Sequence, residues 1–299
     1  MVDDLKRVLV TGASGYLGAR VLAQLRAIGV DCITTSDGGD IGVKCDLTDS
    51  RATAALLERT GPEVVVHCAA RVPKVVAGYD DMRAAADSIA MVDNLCAHAG
   101  YRIVLASSMT VYQSSTVVPF EEALAEPPSS AYALGKWQAE QVLFERGHPG
   151  DVALRLPGLF GLPRRSGVLY NAACTFLAGQ LFALQSPAVM WAAMWVEDAA
   201  SYMVRATTSD VYAAPEAVNI SYGGVFSLPA ALVALARYCG ASWTPPAESA
   251  PVFSASMDRL ERRYGVLPVT FTQRLGEFVE LLILERALAA RIVGDGSTA

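Results

Sequence analysis

The sequence predicts an α/β protein built on a doubly wound parallel sheet, with a smaller and mostly helical C-terminal lobe. Over the first 160 residues, short β-branched apolar runs alternate with segments of helical periodicity, an order that places helices on both faces of a parallel sheet. A turn with three glycines joins the first run to the first helical segment. After Arg164 the alternation gives way to helical segments and short strands. We therefore expect a sheet domain over residues 1–163, rejoined by about 194–222, and a lobe over 164–193 and 223–299.

The composition argues against several classes of protein. Of the 299 residues, 53% are hydrophobic and 18% are charged, so nearly all of the chain is expected to fold. A net charge of −6 without any basic run argues against a nucleic-acid-binding surface, and three histidines without ligand spacing argue against a metal site. Six cysteines without close pairing indicate small buried residues in a reducing compartment. Because the first strand begins by residue 7, we expect no signal peptide and a cytoplasmic protein.

One long uncharged segment, residues 166–196, has the length of a membrane span. Three polar residues and a proline interrupt it, namely Asn171, Gln180, Gln185 and Pro187. A buried helix, a turn at 186–187 and a buried strand explain the segment better, and we expect no membrane contact.

The first strand, turn and helix together predict a site for a diphosphate. Residues 7–11 are an apolar run typical of a buried strand, and apolar residues then recur every three to four positions from Leu17 to Ile28. Between them lie Gly12, Gly15 and Gly18, in the spacing G-x-x-G-x-x-G. The first glycine permits a tight turn, the second lets a ligand approach the backbone, and the third lets the helix pack on the strand. Because the N–H groups at the start of the helix then face an anion, the pattern predicts a Rossmann-type dinucleotide site.

The second strand ends at an acidic residue that bears on the choice of cofactor. The apolar run over residues 30–35 is followed by Ser36 and Asp37. A carboxylate at this strand tip accepts hydrogen bonds from both adenosine ribose hydroxyls and repels a 2′-phosphate. No arginine follows nearby to bind such a phosphate, so the sequence favours NAD over NADP. Alternatively, Asp37 is an ordinary turn residue before Gly38 and Gly39.

The remaining elements continue the alternation. In chain order they are a strand over 41–46, a helix to 59, a strand over 63–70, a helix over 81–98, a strand over 102–106 running into Ser107 and Ser108, a loop over 113–130, a helix over 130–146 and a strand over 151–156. Thr48 or Asp49 is expected to cap the first of these helices. Gly61-Pro62 ends that helix, and Pro157-Gly158 ends the last strand.

Candidate acid–base chemistry lies on the helix over 130–146. Tyr132 and Lys136 are four residues apart and therefore share one helix face. A lysine ammonium beside a tyrosine favours the phenolate and lowers its pKa, which makes the tyrosine a usable acid and base. Ser107 and Ser108 lie at the C-terminal end of a strand, where ligands bind in open parallel sheets. A serine there could hold a substrate oxygen while Tyr132 moves its proton.

Several further motifs occur in a fixed order along the chain. They are Thr11–Gly18 with its three glycines, Asp46-Leu47, His67-Cys68-Ala69-Ala70, Ser107-Ser108-Met109-Thr110-Val111-Tyr112, Tyr132 with Lys136, Arg155-Leu156-Pro157-Gly158-Leu159-Phe160-Gly161, Val196-Glu197-Asp198-Ala199-Ala200 and Asn219-Ile220-Ser221. In these motifs the chain resembles the extended short-chain dehydrogenases/reductases, also called the NAD-dependent epimerase/dehydratase family. The likeness covers nearly the whole chain.

The resemblance implies roles for individual residues and NAD as the cofactor. The implied catalytic set is Ser108, Tyr132 and Lys136. The implied cofactor contacts are Gly12, Gly15, Tyr16, Leu17, Gly18, Asp37, Asp46, Leu47, Ala69, Ala70, Lys136 and Pro157. Candidate substrate contacts are Ser108, Met109, Thr110, Gly158, Arg165 and Trp195. Asp46 could instead cap a helix, and for Ser107 we favour a strand-end hydroxyl bonded to backbone over catalysis.

Departures from the family pattern narrow the expected reaction. Sugar-nucleotide dehydratases of the family carry an acidic pair where Met109 and Thr110 stand, and decarboxylating members carry a glutamate at the position of Thr110. Dehydration and decarboxylation are therefore disfavoured, which leaves epimerisation through a transient oxidation, or a net oxidation or reduction. The segment Ser88–Asn94 also departs from the family pattern, and this concerns helix packing rather than chemistry.

The substrate is expected to be a sugar or a nucleoside diphosphate sugar. Epimerases acting on nucleoside diphosphate sugars usually have asparagine at the position of Gly158. They also have an arginine shortly before the V-x-D motif, which is Val196-Glu197-Asp198 in this chain. Neither is present here, although Arg164, Arg165 or Arg259 could supply charge. We favour an epimerase narrowly over an NAD-dependent sugar or alcohol dehydrogenase or ketoreductase. A non-catalytic NAD-binding regulator is the alternative of another class.

A homodimer is also expected, by resemblance and because the helices over 81–98 and 131–146 lie side by side on one sheet face. Their apolar positions for a four-helix contact are Met82, Ala85, Ile89, Val92, Ala139, Val142 and Leu143. Alternatively, these residues only pack on the sheet.

Overall fold

The structure is a computed structural model that describes residues 7–72, 76–113, 120–124, 126–184, 191–209, 213–246 and 251–295. The chain divides into two compact units. The first unit comprises Met1–Pro157, Val196–Ser221 and Ala255–Val266, and the second comprises Gly158–Trp195, Tyr222–Ser254 and Leu267–Ala299.

The strands and helices follow the expected alternation through the first unit. The strands are β1 (Val8–Thr11), β2 (Cys32–Ser36), β3 (Val43–Lys44), β4 (Val64–His67), β5 (Arg102–Ser108), β6 (Val152–Leu156), β7 (Gly158–Phe160), β8 (Ala193–Trp195) and β9 (Glu216–Asn219). The helices are α1 (Gly18–Ala27), α2 (Ser50–Thr60), α3 (Met82–Cys96), α4 (Ala131–Arg146), α5 (Val168–Leu177), α6 (Val196–Thr208), α7 (Leu228–Tyr238), α8 (Asp258–Tyr264) and α9 (Phe271–Asp295). The expected loop over 113–130 lies partly outside the described residues, since 114–119 and 125 are not among them.

The predicted parallel sheet is confirmed. Seven strands pair in the order β3-β2-β1-β4-β5-β6-β9, and every pairing is parallel. Because the strand order reverses beside β1, the carboxyl ends of β1 and β4 form the switch point at which open α/β sheets bind ligands. Thr11 and His67 are register partners at those two ends.

Local sequence signals explain where the helices begin and end. Of the two candidate caps of α2, Asp49 is the one used, since its carboxylate accepts hydrogen bonds from the backbone N–H groups of Arg51 and Ala52. Gly61 ends α2 in the left-handed region, with φ of +50°. Asp81 caps α3 in the same way as Asp49, with two accepted hydrogen bonds. The hydroxyl of Ser130 caps α4 by accepting one hydrogen bond, from the backbone N–H of Ala133. These caps satisfy N–H groups that have no partner inside the helix.

Helices α3 and α4 pack tightly against each other. A Cβ atom on Gly135 would lie 2.9 Å from the Cα atom of Ala85, so only glycine fits at this crossing. Four of the positions considered for a dimer contact are already buried in the single chain, namely Ala85, Val92, Ala139 and Leu143. Met82 is 64% exposed. For the four buried residues the structure favours packing within the chain, and the homodimer stays a prediction.

The second unit has its own apolar core. Strands β7 and β8 pair in parallel, and α5, α7 and α9 bury residues such as Phe176, Leu232 and Phe278. The uncharged segment contains α5 and β8 as expected, whereas its turn at 186–187 lies outside the described residues. Among the residues that the structure describes, no helix is both long and apolar enough to cross a membrane.

Candidate active site

The glycine turn between β1 and α1 forms a cradle of bare backbone. Gly12 has φ of +63°, and a Cβ atom there would lie 2.7 Å from the backbone N of Ala69. A Cβ atom on Gly18 would lie 2.2 Å from the carbonyl oxygen of Gly12. Helix α1 begins at Gly18 without a side-chain hydrogen bond to its first turn, and the positive end of the helix dipole favours an anion there. The chemistry of this cradle fits the diphosphate of a dinucleotide.

A buried histidine joins the ends of β1 and β4, and the sequence analysis did not assign it a role. The Nδ1 atom of His67 lies 2.8 Å from the Oγ1 atom of Thr11. That hydroxyl also accepts a hydrogen bond of 3.3 Å from the backbone N–H of Ala69. Burial, with the charge of Lys136 beside it, lowers the pKa of His67 to about 3. The imidazole is therefore neutral, and it contacts the same Thr11 hydroxyl that binds the backbone of Ala69.

The end of β2 carries a charge cluster that the sequence analysis missed. Asp37 follows β2 directly, and its carboxylate lies 3.3 Å from the Nη1 atom of Arg71. The Nε atom of the same guanidinium lies 3.5 Å from the carboxylate of Asp87 on α3. No arginine follows Asp37 closely in the sequence, as noted above, but the expectation that none is near enough to bind a phosphate is wrong in the folded chain. The fold brings Arg71, 34 residues later, to its side.

Asp46 and Leu47 have structural partners at the turn before α2. Asp46 accepts hydrogen bonds of 2.9 and 2.7 Å from the backbone N–H and the hydroxyl of Thr48. These bonds, and to a lesser degree the charge of Arg71, hold the pKa of Asp46 below its usual value. Asp46 is thus not the helix cap, a role taken by Asp49. The carbonyl of Leu47 accepts a hydrogen bond of 2.9 Å from Asn94.

The candidate catalytic residues lie on β5 and α4 in the first unit. Lys136 is buried, and its ammonium donates a hydrogen bond of 2.8 Å to the carbonyl of Ala106, two residues before Ser108. Burial lowers the pKa of Lys136 to about 8, although the charge of Glu140 opposes the shift. This bond ties the face of α4 that carries Tyr132 and Lys136 to the carboxyl end of β5.

Neighbouring side chains orient Ser108 and Tyr132. The Oγ atom of Ser108 accepts hydrogen bonds of 3.2 and 3.0 Å from the backbone N–H and the hydroxyl of Thr110. The ring of Tyr132 packs edge to face on Tyr79, with 5.4 Å between the ring centroids. Tyr79 was not identified from the sequence, because its only signal is an isolated aromatic residue in a loop. Met109, unlike Thr110, is buried.

A buried polar network lies one helical turn beyond Lys136. Arg155 on β6 binds the carboxylate of Glu140 through Nε at 3.0 and 3.1 Å and through Nη2 at 2.7 Å. Its Nη1 atom donates a hydrogen bond of 2.7 Å to the hydroxyl of Tyr112. Ser107 donates to the same carboxylate of Glu140. The expectation that Ser107 bonds backbone is therefore wrong, since its hydroxyl fixes a side chain of α4 instead.

The other residues nominated from the sequence have varied surroundings. Ala70, Tyr16 and Leu17 are half-buried, and Pro157 is buried. In the second unit, the backbone N–H of Gly158 donates a hydrogen bond of 3.1 Å to the carbonyl of Ala192. Two further candidate substrate contacts also lie in this unit. Arg165 forms an ion pair of 3.0 Å with Glu285. Trp195 packs on Phe160 and Phe278 in the apolar core. For Trp195 the structure indicates a packing role. Within the described ranges, no group of three or more His, Cys, Asp and Glu residues could hold a metal ion.

The chain is similar in sequence to a known protein family and to individual relatives. The family model described as "NAD dependent epimerase/dehydratase family" matches residues 8–221. Methionine adenosyltransferase 2 subunit beta of Danio rerio is 32% identical over 165 residues, which are 52% of this chain and 49% of that protein. The dTDP-4-keto-6-deoxy-D-glucose reductase of Streptomyces niveus is 29% identical over 168 residues, 52% of this chain and 53% of that protein. The chain thus spans about half the length of these two relatives.

A solved structure shares the fold over nearly the whole chain. It is the UDP-glucose 4-epimerase of Thermotoga maritima with UDP-glucose, with a TM-score of 0.76 and 18% sequence identity. The match covers 93% of this chain and 99% of the other. At this identity the likeness concerns the fold.

Proposed function

The chain belongs to the NAD dependent epimerase/dehydratase family, and from this premise we propose that it transfers a hydride at an alcohol carbon of a sugar or a nucleoside diphosphate sugar. The hydrogen bond of 2.8 Å from Lys136 to the carbonyl of Ala106 carries the proposal. It joins the Tyr132 and Lys136 face of α4 to the strand end at Ser108, where ligands bind in open parallel sheets.

The cofactor is NAD, and the residues of the first unit fit it. The backbone of the glycine turn would hold the diphosphate, and Asp37 would accept hydrogen bonds from the adenosine ribose. Further contacts proposed from the sequence are Tyr16, Leu17, Asp46, Leu47, Ala69, Ala70 and Pro157. When bound, NAD⁺ supplies an electrophilic nicotinamide ring that accepts the hydride of the alcohol carbon.

Tyr132 and Lys136 would move the proton. The phenolate of Tyr132 takes the proton of the substrate hydroxyl as the carbon becomes a carbonyl carbon. The ammonium of Lys136 favours the phenolate by its positive charge. An ammonium has three N–H donors, and one of them is fixed by the carbonyl of Ala106. That bond limits the positions that the charge can take relative to Tyr132.

Ser108 would hold the substrate oxygen as a hydrogen-bond donor. A hydroxyl has one O–H donor and two acceptor lone pairs. Two donors of Thr110 reach the Oγ atom of Ser108, at 3.2 and 3.0 Å. With its lone pairs used in this way, the hydroxyl of Ser108 is left to donate, and a developing carbonyl oxygen needs a donor. Thr110 therefore acts through Ser108.

Two overall reactions use these same residues. In the epimerase proposal, the ketone intermediate turns over and receives the hydride on its other face, so that NAD⁺ is regenerated. In the second candidate the hydride transfer is a net reduction or oxidation, and the likeness of the chain to the Streptomyces niveus reductase favours this reaction. We place epimerisation first on the general likeness of the motifs of the chain to those of the epimerases of this family. The lack of an acid at Met109 and Thr110 argues against a dehydratase and does not separate these two reactions.

The test incubates the purified chain with NAD⁺ or NADH and a panel of sugars and nucleoside diphosphate sugars. The near-ultraviolet absorbance of NADH is followed together with product stereochemistry by NMR. An epimer formed without net NADH supports the epimerase, whereas stoichiometric NADH turnover supports the second candidate. Tyr132→Phe should lower turnover by roughly 10²–10⁴-fold and keep NAD binding.

Tyr238→Phe is the matched control, because Tyr238 lies at the end of α7 in the second unit and is 44% exposed. It should turn over like the wild type. Equal turnover of Tyr132→Phe and the wild type would contradict the assigned role of Tyr132. NAD binding without turnover of any sugar would favour a non-catalytic regulator.

A further inference from the structure

Arg71 lies where the adenosine ribose of the proposed cofactor site would be. We propose that Arg71 determines the choice between NAD and NADP: Asp37 holds its guanidinium in the native chain, and without Asp37 the guanidinium binds a 2′-phosphate. The inference deepens the proposed function, since it rests on the assignment of this edge of the sheet to the cofactor.

The strand order brings the two residues together. Strands β2 and β4 flank β1 in the parallel sheet, so their carboxyl ends lie at one edge. Asp37 comes one residue after β2, and Arg71 comes four residues after β4. Their side chains meet at 3.3 Å while 61% and 49% of them, respectively, remain exposed. A ligand that reaches the carboxylate of Asp37 therefore also reaches the guanidinium of Arg71.

The charges around Arg71 explain why the native chain would reject a 2′-phosphate. Asp37 and Asp87 lie within 3.5 Å of the guanidinium, and Arg71 also lowers the pKa of Asp46. Two carboxylates thus face one cation, and the group of three side chains carries a net negative charge. A phosphate dianion would be repelled, whereas uncharged ribose hydroxyls can donate to a carboxylate.

The ion pair is weak enough to be exchanged. Exposed pairs contribute little to stability, because water and salt screen them. A guanidinium carries five N–H donors in a planar fork, which matches the geometry of a phosphate. Loss of Asp37 would release the Nη1 side of Arg71 while Asp87 still holds Nε. The positively charged guanidinium of Arg71 would then face the 2′-phosphate of NADP.

Removal of Asp37 has two separate effects on NADP binding. Loss of repulsion alone would ease NADP binding to the same extent whether or not residue 71 is an arginine. A phosphate-binding role of Arg71 makes the gain depend on that arginine. The two effects are distinguished by combining substitutions at both positions.

The experiment measures dissociation constants of NAD and NADP by isothermal titration calorimetry at one ionic strength. The 299-residue chain is compared with Asp37→Ser, Arg71→Met and the double variant. Both side chains are exposed, so the variants should fold, which circular dichroism checks. Asp37→Ser should tighten NADP binding by about tenfold to a hundredfold, the range of a hydrogen bond to a charged group. Arg71→Met in that background should abolish the gain.

Arg237→Met is the control for loss of a surface arginine, because Arg237 lies on α7 in the second unit. It should leave both dissociation constants unchanged in the Asp37→Ser background. A gain in NADP affinity that persists in the double variant would overturn the role of Arg71 and leave the cofactor site intact. Absence of any gain in Asp37→Ser would do the same. A wild-type chain that binds neither dinucleotide would overturn the proposed function together with this inference.

Discussion

The buried ion pair between Glu140 and Arg155 allows a sharp prediction about stability. The side chain of Arg155 is 2% exposed and that of Glu140 is fully buried. Although burial alone lowers the pKa of Arg155, the charge of Glu140 and the hydroxyl of Tyr112 raise it above its usual value. Arg155→Met fills much of the same space but leaves the carboxylate of Glu140 without its counter-ion.

The expected loss follows from the geometry. Three nitrogen–oxygen distances between the two side chains lie between 2.7 and 3.1 Å, so the pair is close and multiply bonded. Removing one partner of a buried pair typically costs about 3–5 kcal/mol, because the other charge is left uncompensated. For a domain of about 150–250 residues, each kcal/mol shifts the melting temperature by about 2–4 °C. Arg155→Met should therefore melt roughly 6–20 °C below the wild type.

The assay is thermal and urea unfolding, followed by circular dichroism, of a double-mutant cycle. Arg155→Met, Glu140→Leu and the double variant are compared with the wild type at neutral pH. The double variant should be more stable than the sum of the two single losses predicts, because it buries no unpaired charge. Arg165→Met is the matched control. It removes an exposed arginine, since the pair of Arg165 with Glu285 is 65% and 37% exposed, and it should melt like the wild type.

Two results would contradict a stabilising interaction between Glu140 and Arg155. One is a loss in Arg155→Met no larger than that of Arg165→Met, which would mean that the pair contributes nothing. The other is strict additivity of the two single losses, which would mean that the side chains do not interact.

Two further predictions concern buried ionisable groups. The pKa of His67 is about 3 instead of 6.5, so between these values the unfolded chain binds a proton that the folded chain does not. The unfolding free energy should accordingly fall by up to about 1.4 kcal/mol per pH unit as the pH drops through this window. Urea titrations of the wild type and of His67→Gln should show a smaller fall in the variant. The pKa of Lys136 is lowered from 10.5 to about 8, so its stability penalty is fully present below pH 8 and is relieved as the pH rises towards 10.5. Lys136→Met should gain about 1–3 kcal/mol at neutral pH while turnover falls by roughly 10²–10⁴-fold.

Each of these predictions has its own check. His98→Gln serves as the control for His67→Gln, because His98 lies just after the end of α3 and is only partly buried. An equal acid sensitivity of the wild type and His67→Gln would contradict the first prediction. For the second, a Lys136→Met variant that is less stable than the wild type at neutral pH would mean that the bond to the carbonyl of Ala106 outweighs the burial penalty.

The sequence alone was sufficient for the elements that depend on a few consecutive residues. The glycine turn, the helix cap at Thr48 or Asp49 and the alternation of strands and helices were all predictable, because backbone conformation and capping are local. The limit was reached at β3, where residues 41–46 were expected to form a strand but only Val43 and Lys44 pair. Gly42 has φ of +70°, and this turn prevents pairing of the residues before it.

The candidate catalytic residues could also be nominated from the sequence. Tyr132 and Lys136 share a helix face by spacing, and Ser107 and Ser108 end a strand that the apolar pattern identifies. The choice of Ser108 over Ser107 comes from the resemblance to the family. Their surroundings could not be predicted, because each contact depends on elements distant in the chain. The lowered pKa of Lys136, the hydrogen bonds of Thr110 to Ser108 and the contact with Tyr79 all require the packed structure.

Tertiary structure alone decided which charges meet and which side chains are buried. Asp37 and Arg71 are 34 residues apart, and only the order of β2, β1 and β4 in the sheet brings them to one edge. Ser107 likewise meets Glu140 because α4 packs on β5, 33 residues earlier in the chain. Local sequence carries the propensity for a strand or helix. The partner of a charge is set by which strands lie side by side, since electrostatic interactions depend on distance in space and not on separation along the chain.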